Sequence, residues 1–152
     1  EKSVNKGDKV LDLGCGSGIL SVIALLLGAK SAYAVDIDPN CEKIAYENAA
    51  LNNVSRDVYK VECGNVLSDT KLCERLASAK CDIVVANIVA DAIIMLSADV
   101  KKFMGDNSVY IMSGIIDKRH DDVLSAIEKD FEVIETFEEA GWVCIAAKVK
   151  NA

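Results

Sequence analysis

The chain has 152 residues, a net charge of −7 and a pI near 4.7, with 51% hydrophobic but only 5% aromatic residues. This suits one domain with an aliphatic α/β core, and the acidic balance speaks against a broad nucleic-acid surface, since the densest basic groups are only Lys101-Lys102 and Lys118-Arg119-His120. Six cysteines without C-x-x-C spacing and a lone His120 argue against a metal site, and apolar runs such as Ile19–Leu27 are too short to span a membrane, so a reduced cytoplasmic protein with free thiols is expected.

The chain opens at Glu1 without an initiator Met, and only a short segment precedes the first apolar run. A chain cut at a domain boundary is expected. Lys9–Leu13 reads as the first strand and Ser17–Leu27 as a helix buried against a sheet, ended by Gly28. Ala32–Asp36 is the second strand. Pro39 suits the first turn of a helix that runs to about Asn53, with Ile44, Ala45, Ala49 and Leu51 inward. Asp57–Glu62 alternates as a third strand, Asn65-Val66 is a loop, and Thr70–Ala79 is a short helix. Cys81–Ala86 is a strongly apolar fourth strand ending at Asn87, and Ala90–Met104 is a helix. After a turn at Gly105-Asp106-Asn107, Ser108–Ser113 is the fifth strand, ending at Gly114. Asp121–Lys129 is helical, and Phe131–Glu138 and Trp142–Lys148 form a hairpin through Glu139-Ala140-Gly141. Strands alternating with helices predict a doubly wound, mostly parallel seven-stranded sheet with a C-terminal antiparallel hairpin.

Strand, glycine loop, helix, strand and acid follow one another from Val10 to Asp38, the layout of a site for a nucleoside-containing cofactor. Gly14, Gly16 and Gly18 are spaced G-x-G-x-G. The dinucleotide fingerprint is G-x-G-x-x-G, so the reading moves from NAD towards S-adenosylmethionine. The glycines let backbone approach a ligand, and the helix N-terminus offers it free N–H groups. Asp36, ending the second strand, suits both ribose hydroxyls, while Asp38 suits helix capping. Asp12 lies inside an apolar strand and must have partners. It either anchors the glycine loop or positions a cofactor ammonium through water. Asn65 suits either an adenine edge or an ordinary Asx-turn. Asn87 suits either a substrate amine or the N-cap of the next helix, and Ile88 suits a pocket wall. Ser113-Gly114, Glu138, Glu139 and Trp142 are candidates for the substrate side. His120 reads as a surface helix-start residue, and Cys15 and Cys63 as small packing residues.

The segments VLDLGCGSGILSVIALLLGAKSAYAVDIDP, ENAALNNV, VVANIVAD, YIMSGI and EEAGWVCIAAK resemble, in order and over nearly the whole chain, the catalytic domain of the ribosomal protein L-eleven methyltransferase family. The NIVAD and EEAGW segments are the more specific ones. The resemblance implies a Rossmann-like class I methyltransferase fold over residues 1–152. It implies S-adenosylmethionine as cofactor and methylation of lysine and N-terminal amines of a large-subunit ribosomal protein, with no direct nucleic-acid, membrane or metal partner. Cofactor contacts then fall on Gly14, Asp36 and Asn87, with Asn87 also orienting the amine, and Ile37 beside Asp36 is a further cofactor-binding candidate. The family's N-terminal substrate-recognition domain and its threonine-containing segment before the first strand are not in this sequence. The usual Pro-Gly-Gly before the fifth strand is replaced by Met104-Gly105-Asp106-Asn107. The competing readings are a methyltransferase of the same class with another substrate, a cofactor-binding module without turnover, and a nicotinamide dehydrogenase.

Overall fold

The computed structural model describes residues 2–150. It is a seven-stranded sheet: β1 (Lys9–Leu13), β2 (Ser31–Asp36), β3 (Tyr59–Cys63), β4 (Cys81–Asn87), β5 (Met104–Ile116), β6 (Phe131–Glu139) and β7 (Trp142–Val149), in the spatial order β3-β2-β1-β4-β5-β7-β6. The first five strands are parallel and β7 pairs antiparallel with both β5 and β6. The hairpin between β6 and β7 turns through consecutive left-handed residues, Ala140 (φ 51°) and Gly141 (φ 81°), the twist that a two-residue hairpin favours.

The helices are α1 (Ile19–Leu26), α2 (Cys41–Leu51), α3 (Thr70–Ala79), α4 (Ala90–Val100) and α5 (His120–Ile127). Alternate strand residues feed two cores. Leu11, Leu13, Val84, Ala86, Tyr110 and Met112 pack with α3, α4 and α5, whereas Val10, Ala32, Ala34 and Ile83 pack with α1 and α2. Burial of each large side chain, Tyr110 and Met112 among them, contributes about 1.5–3 kcal/mol. Two helices cover less than three do. On the α1/α2 side Ile111 and Cys144 are only half-buried, and Phe137 and Trp142 are exposed.

The structure corrects several local expectations. α1 buries only Ser21, Val22 and Ala24, leaving Ile19, Ile23, Leu26 and Leu27 exposed on its outer face. Pro39 precedes α2 and is not in its first turn. Asp38 does not cap that helix; its Oδ1 accepts from the N–H (2.8 Å) and Nδ2 (3.0 Å) of Asn40, an Asx-turn that leads the chain in. The buried stripe of α2 is Cys41, Ala45 and Ala49, four apart; Ile44 and Leu51 face solvent. α2 stops at Leu51, and Asn53 turns the chain with φ 59°. The α4 helix ends at Val100, not Met104. A 3-10 turn (Lys101–Phe103) follows, and Met104 already pairs with Cys81 in the sheet. The expected turn at Gly105-Asp106-Asn107 is an irregularity inside β5, held where Ser108 Oγ donates to the carbonyls of Cys81 and Gly105 (both 2.7 Å).

Candidate active site

The site lies at the carboxyl ends of β1 to β4, where the strand order reverses between β1 and β4, the place where open α/β sheets bind ligands. A cleft of about 520 Å³ opens there. Gly14, Asp36, Ile37, Gly64 and Asn65 line one side, and Ile88, Val89, Ala92 and Met95 the other.

The three glycines of the loop all have positive φ (76°, 50° and 75°), but they serve different ends. A Cβ on Gly14 would stand 2.3 Å from Cγ2 of Ile88, so its bare Cα lets the end of β1 close on the residue after β4. Gly16 faces open space and its N–H donates to Oδ2 of Asp36 at 2.7 Å. Gly18 does not line the cleft. A Cβ there would meet Tyr59 OH at 2.3 Å and Ala45 Cβ at 2.8 Å, so it belongs to the junction of α1, α2 and β3. The loop is tied to β2 because Gly14 and Cys15 N–H both donate to the carbonyl of Val35 (2.8 and 3.1 Å).

Asp36 holds the loop as well as lining the cleft. Its Oδ1 accepts from the N–H of Asp38 at 2.9 Å while Oδ2 takes that of Gly16. A carboxylate has about four acceptor positions, so each oxygen keeps capacity for a hydroxyl donor. Beside it, Ile37 (73% exposed), Leu67 (43%), Val89 (69%) and Met95 (55%) offer apolar surface around the cleft. An aromatic base inserted there would bury that surface. Vicinal hydroxyls at Asp36 and a flat apolar slot are the pattern a nucleoside requires, and the residues present fit one. Asn65 forms the expected Asx-turn, its Oδ1 accepting from Leu67 N–H at 2.9 Å, and the residue also lines the cleft.

Asp12 does not anchor the glycine loop, one of its two expected roles, and its Oδ1 has no partner among the described residues. It is 1% exposed and outside the cleft lining, and it bonds neither the glycine loop nor the ligand region. Its Oδ2 accepts from Ser21 Oγ (2.7 Å) and Ser21 N–H (3.2 Å), in the first turn of α1. Side chains alternate along β1, so Asp12 lies on the α1 side beneath the loop. Burial pushes its carboxyl up to about 6, against the two bonds from Ser21.

Asn87 ends β4 opposite Ser113 of β5. It does not cap α4, whose N-cap is Val89. It lies outside the cleft lining and lines a second cavity of about 260 Å³ with Ser113, Cys144 and apolar side chains of α1, β4 and β5. Ile88 lines the cleft, so two consecutive residues front the two cavities.

Burial, then the Asp12 carboxyl, pushes the Cys15 thiol up, and burial followed by Asp36 does the same to Cys41; neither suits a nucleophile. Cys63, expected to pack inside, is exposed, its Sγ 3.8 Å from the Ile37 carbonyl. His120 starts α5 with its Nδ1 3.2 Å from Asp121 Oδ1. Glu138, Glu139 and Trp142 lie exposed at the hairpin, away from the cleft lining. Among the described residues no group of His, Cys, Asp and Glu could hold a metal, and no helix is long and apolar enough to cross a membrane.

Sequence reading missed the α4 wall of the cleft. Val89, Ala92 and Met95 recur every third residue, and the signal was there: Ala90, Ile93, Leu96 and Val100 already fill the core, so the further apolar residues needed another use.

The sheet order, the cleft at its switch point and the terminal hairpin define a Rossmann-like class I methyltransferase fold. A model of the family "Ribosomal protein L11 methyltransferase (PrmA)" matches residues 1–150, and the chain belongs to that family. It is 41% identical over 152 residues to a ribosomal protein L11 methyltransferase of Lachnospira eligens, covering 99% of this chain and 48% of that protein. It is 43% identical over 141 residues to one of Thermoanaerobacter pseudethanolicus, covering 93% of this chain and 43% of that protein. A crystal structure of a ribosomal protein L11 methylase from Lactobacillus delbrueckii subsp. bulgaricus superposes with a TM-score of 0.87 at 30% identity, covering 99% of this chain and 74% of that one. The chain spans about half the length of the curated relatives it matches.

Proposed function

We propose that this chain is the catalytic domain of an S-adenosylmethionine-dependent methyltransferase that acts on lysine and N-terminal amines of a large-subunit ribosomal protein, in the cytoplasm. The observation that carries the reading is the placement of Asp36 beside an apolar slot, with the glycine loop and Ile88 closing its inner end. The residues that would hold the cofactor are Asp36 at the ribose, Ile37, Leu67 and Met95 around the adenine, Asn65 at its edge and Gly14 where the backbone approaches. When bound, S-adenosylmethionine supplies an activated methyl group on a sulfonium, which leaves as a neutral thioether when an amine lone pair attacks.

What the protein adds is orientation. A lysine must be neutral to attack, against a reference pKa of about 10.4. Asn87 Oδ1 and the Ile88 carbonyl are acceptors for its remaining N–H groups, and they aim the lone pair. The amine approaches from the Asn87 side and the cofactor from the Ile88 side. Among the described residues no carboxylate or imidazole lines the second cavity with Asn87 to act as base, so water takes the proton while desolvation favours the neutral amine. A pH–rate profile that required an acidic side chain near the methyl group would sink this step.

Calorimetric titration with S-adenosylmethionine tests the reading, with NAD as control and Asp36→Ala alongside. Loss of two charge-assisted bonds, at about 1.5–3 kcal/mol each, weakens binding at least about a hundredfold. NAD binding with no S-adenosylmethionine binding by the full-length protein would overturn it.

A further inference from the structure

β5 carries a register irregularity between Met112 and Ile115, and Gly114 sits inside it with φ 75°. Its missing side chain leaves a definite space. A Cβ there would stand 2.8 Å from the carbonyl oxygen of Ile88, 2.9 Å from Oδ1 of Asn87 and 3.1 Å from the Ile88 nitrogen. Two carbonyl-type oxygens from consecutive residues thus converge on one point beside the Gly114 Cα. We propose that Gly114 is a positioning residue for methyl transfer: its bare Cα sets the Asn87 Oδ1 and Ile88 carbonyl pair that orients the incoming amine. This rests on the methyltransferase reading above and adds to it the group that fixes the acceptors.

Two further contacts argue for a positioning role. Ile88 N–H donates to the Ser113 carbonyl at 3.2 Å, so the backbone before Gly114 already fixes the Ile88 peptide. From the other side, Gly14 closes on Ile88, where its own Cβ would come within 2.3 Å of Cγ2. Ile88 is therefore gripped between two left-handed glycines, Gly14 under the cofactor cleft and Gly114 under the amine acceptors. A Cβ on Gly114 would press on Oδ1 of Asn87, so the bare Cα leaves that oxygen room to stand where it does. Conformation alone does not account for the residue. Gly141 has nearly the same φ, 81°, but a Cβ there would meet nothing within 4 Å.

The pair Gly114→Ala and Gly141→Ala therefore separates left-handed backbone strain from displacement of the acceptors. Both are made in the full-length protein, and each is measured for S-adenosylmethionine affinity, for kcat and KM with purified ribosomal protein L11 as acceptor, and for the ratio of mono-, di- and trimethylated product. Gly114→Ala is expected to lower kcat at least about tenfold, to leave the cofactor Kd within about twofold, and to shift the product ratio, because each methyl added removes an N–H that the acceptors hold. Gly141→Ala leaves all three unchanged. An unchanged kcat and product ratio in Gly114→Ala, or a cofactor Kd that weakens in step with kcat, overturns the assignment. If Gly114→Ala does not fold, Asn87→Ala/Gly114→Ala is compared with Asn87→Ala, since the double variant lacks the Oδ1 contact. Equal kcat supports action through Asn87 alone, a further loss with the cofactor Kd unchanged supports action through the Ile88 carbonyl as well, and a loss in which the cofactor Kd weakens in step overturns the assignment. Wild-type protein that binds cofactor but transfers nothing overturns the methyl-transfer reading itself; wild-type turnover with an indifferent Gly114 overturns only the role given to Gly114.

Discussion

Replacing Asp12 by Asn probes a carboxyl that the fold keeps from water and ties to one residue, Ser21. Its pKa rises from 3.8 to about 6, chiefly through burial. A raised carboxyl stabilises the fold fully below the unfolded pKa, and that contribution is lost as pH rises through the folded one, because the folded state holds the proton longer. About two units at 1.36 kcal/mol each come to about 3 kcal/mol, of which about 2 kcal/mol falls between about pH 4.5 and 7.5. Asn cannot titrate. Urea unfolding followed by circular dichroism across that range should show the wild type losing about 2 kcal/mol relative to Asp12→Asn, whatever the offset between the two proteins at the acid end. Parallel stability curves, constant in difference to within about 0.5 kcal/mol, would refute the claim that Asp12 titrates with a raised pKa in the fold.

Two further outcomes follow from the loop and the thiols. Gly18→Ala combines left-handed strain with contacts at 2.3 Å to Tyr59 OH and 2.8 Å to Ala45, so it should cost about 3 kcal/mol in urea unfolding; a loss under about 1 kcal/mol would mean that the α1–α2 junction yields easily. In native protein a disulfide reagent should modify Cys63 first, because it is exposed, while Cys15, Cys41 and Cys81, which are buried, react only on unfolding; burial pushes the Cys81 thiol up to about 11. Early modification of Cys81 by peptide mapping would contradict the burial.

Much of the architecture was legible because strand period, helix period and glycine punctuation agree along the chain. Thr70–Ala79 is read to the residue, and Asp69 Oδ1 caps it from the Leu72 N–H at 3.0 Å. The hairpin at Ala140-Gly141 is likewise where turn chemistry puts it. The α4–β5 junction was not legible: Val100, Phe103 and Met104 are all buried, so apolar spacing continues across a change from helix to strand. In the site, Asp36, Ile37, Gly14 and Asn65 follow from their places at strand ends. What spacing could not tell is which partner each group meets. Gly18 answers to Tyr59 and Ala45, and Gly114 to Asn87 and Ile88, contacts made only when distant segments come together. Asp12 illustrates the same limit, since the strand period gives its face but not the Ser21 hydroxyl waiting there.

The last strand in space, β6, has a further consequence. It ends the sheet beyond β7, and past Phe131 every one of its residues is exposed, Val133, Ile134 and Phe137 included. A long bare margin of this kind invites another chain to add a strand. Glu132, Glu135, Glu138 and Glu139 are interleaved with those apolar residues, so two such margins brought together at neutral pH repel one another along their length. The net charge of −7 thus has a local use, as an acidic fringe that keeps a sticky margin of the sheet apart from its copies.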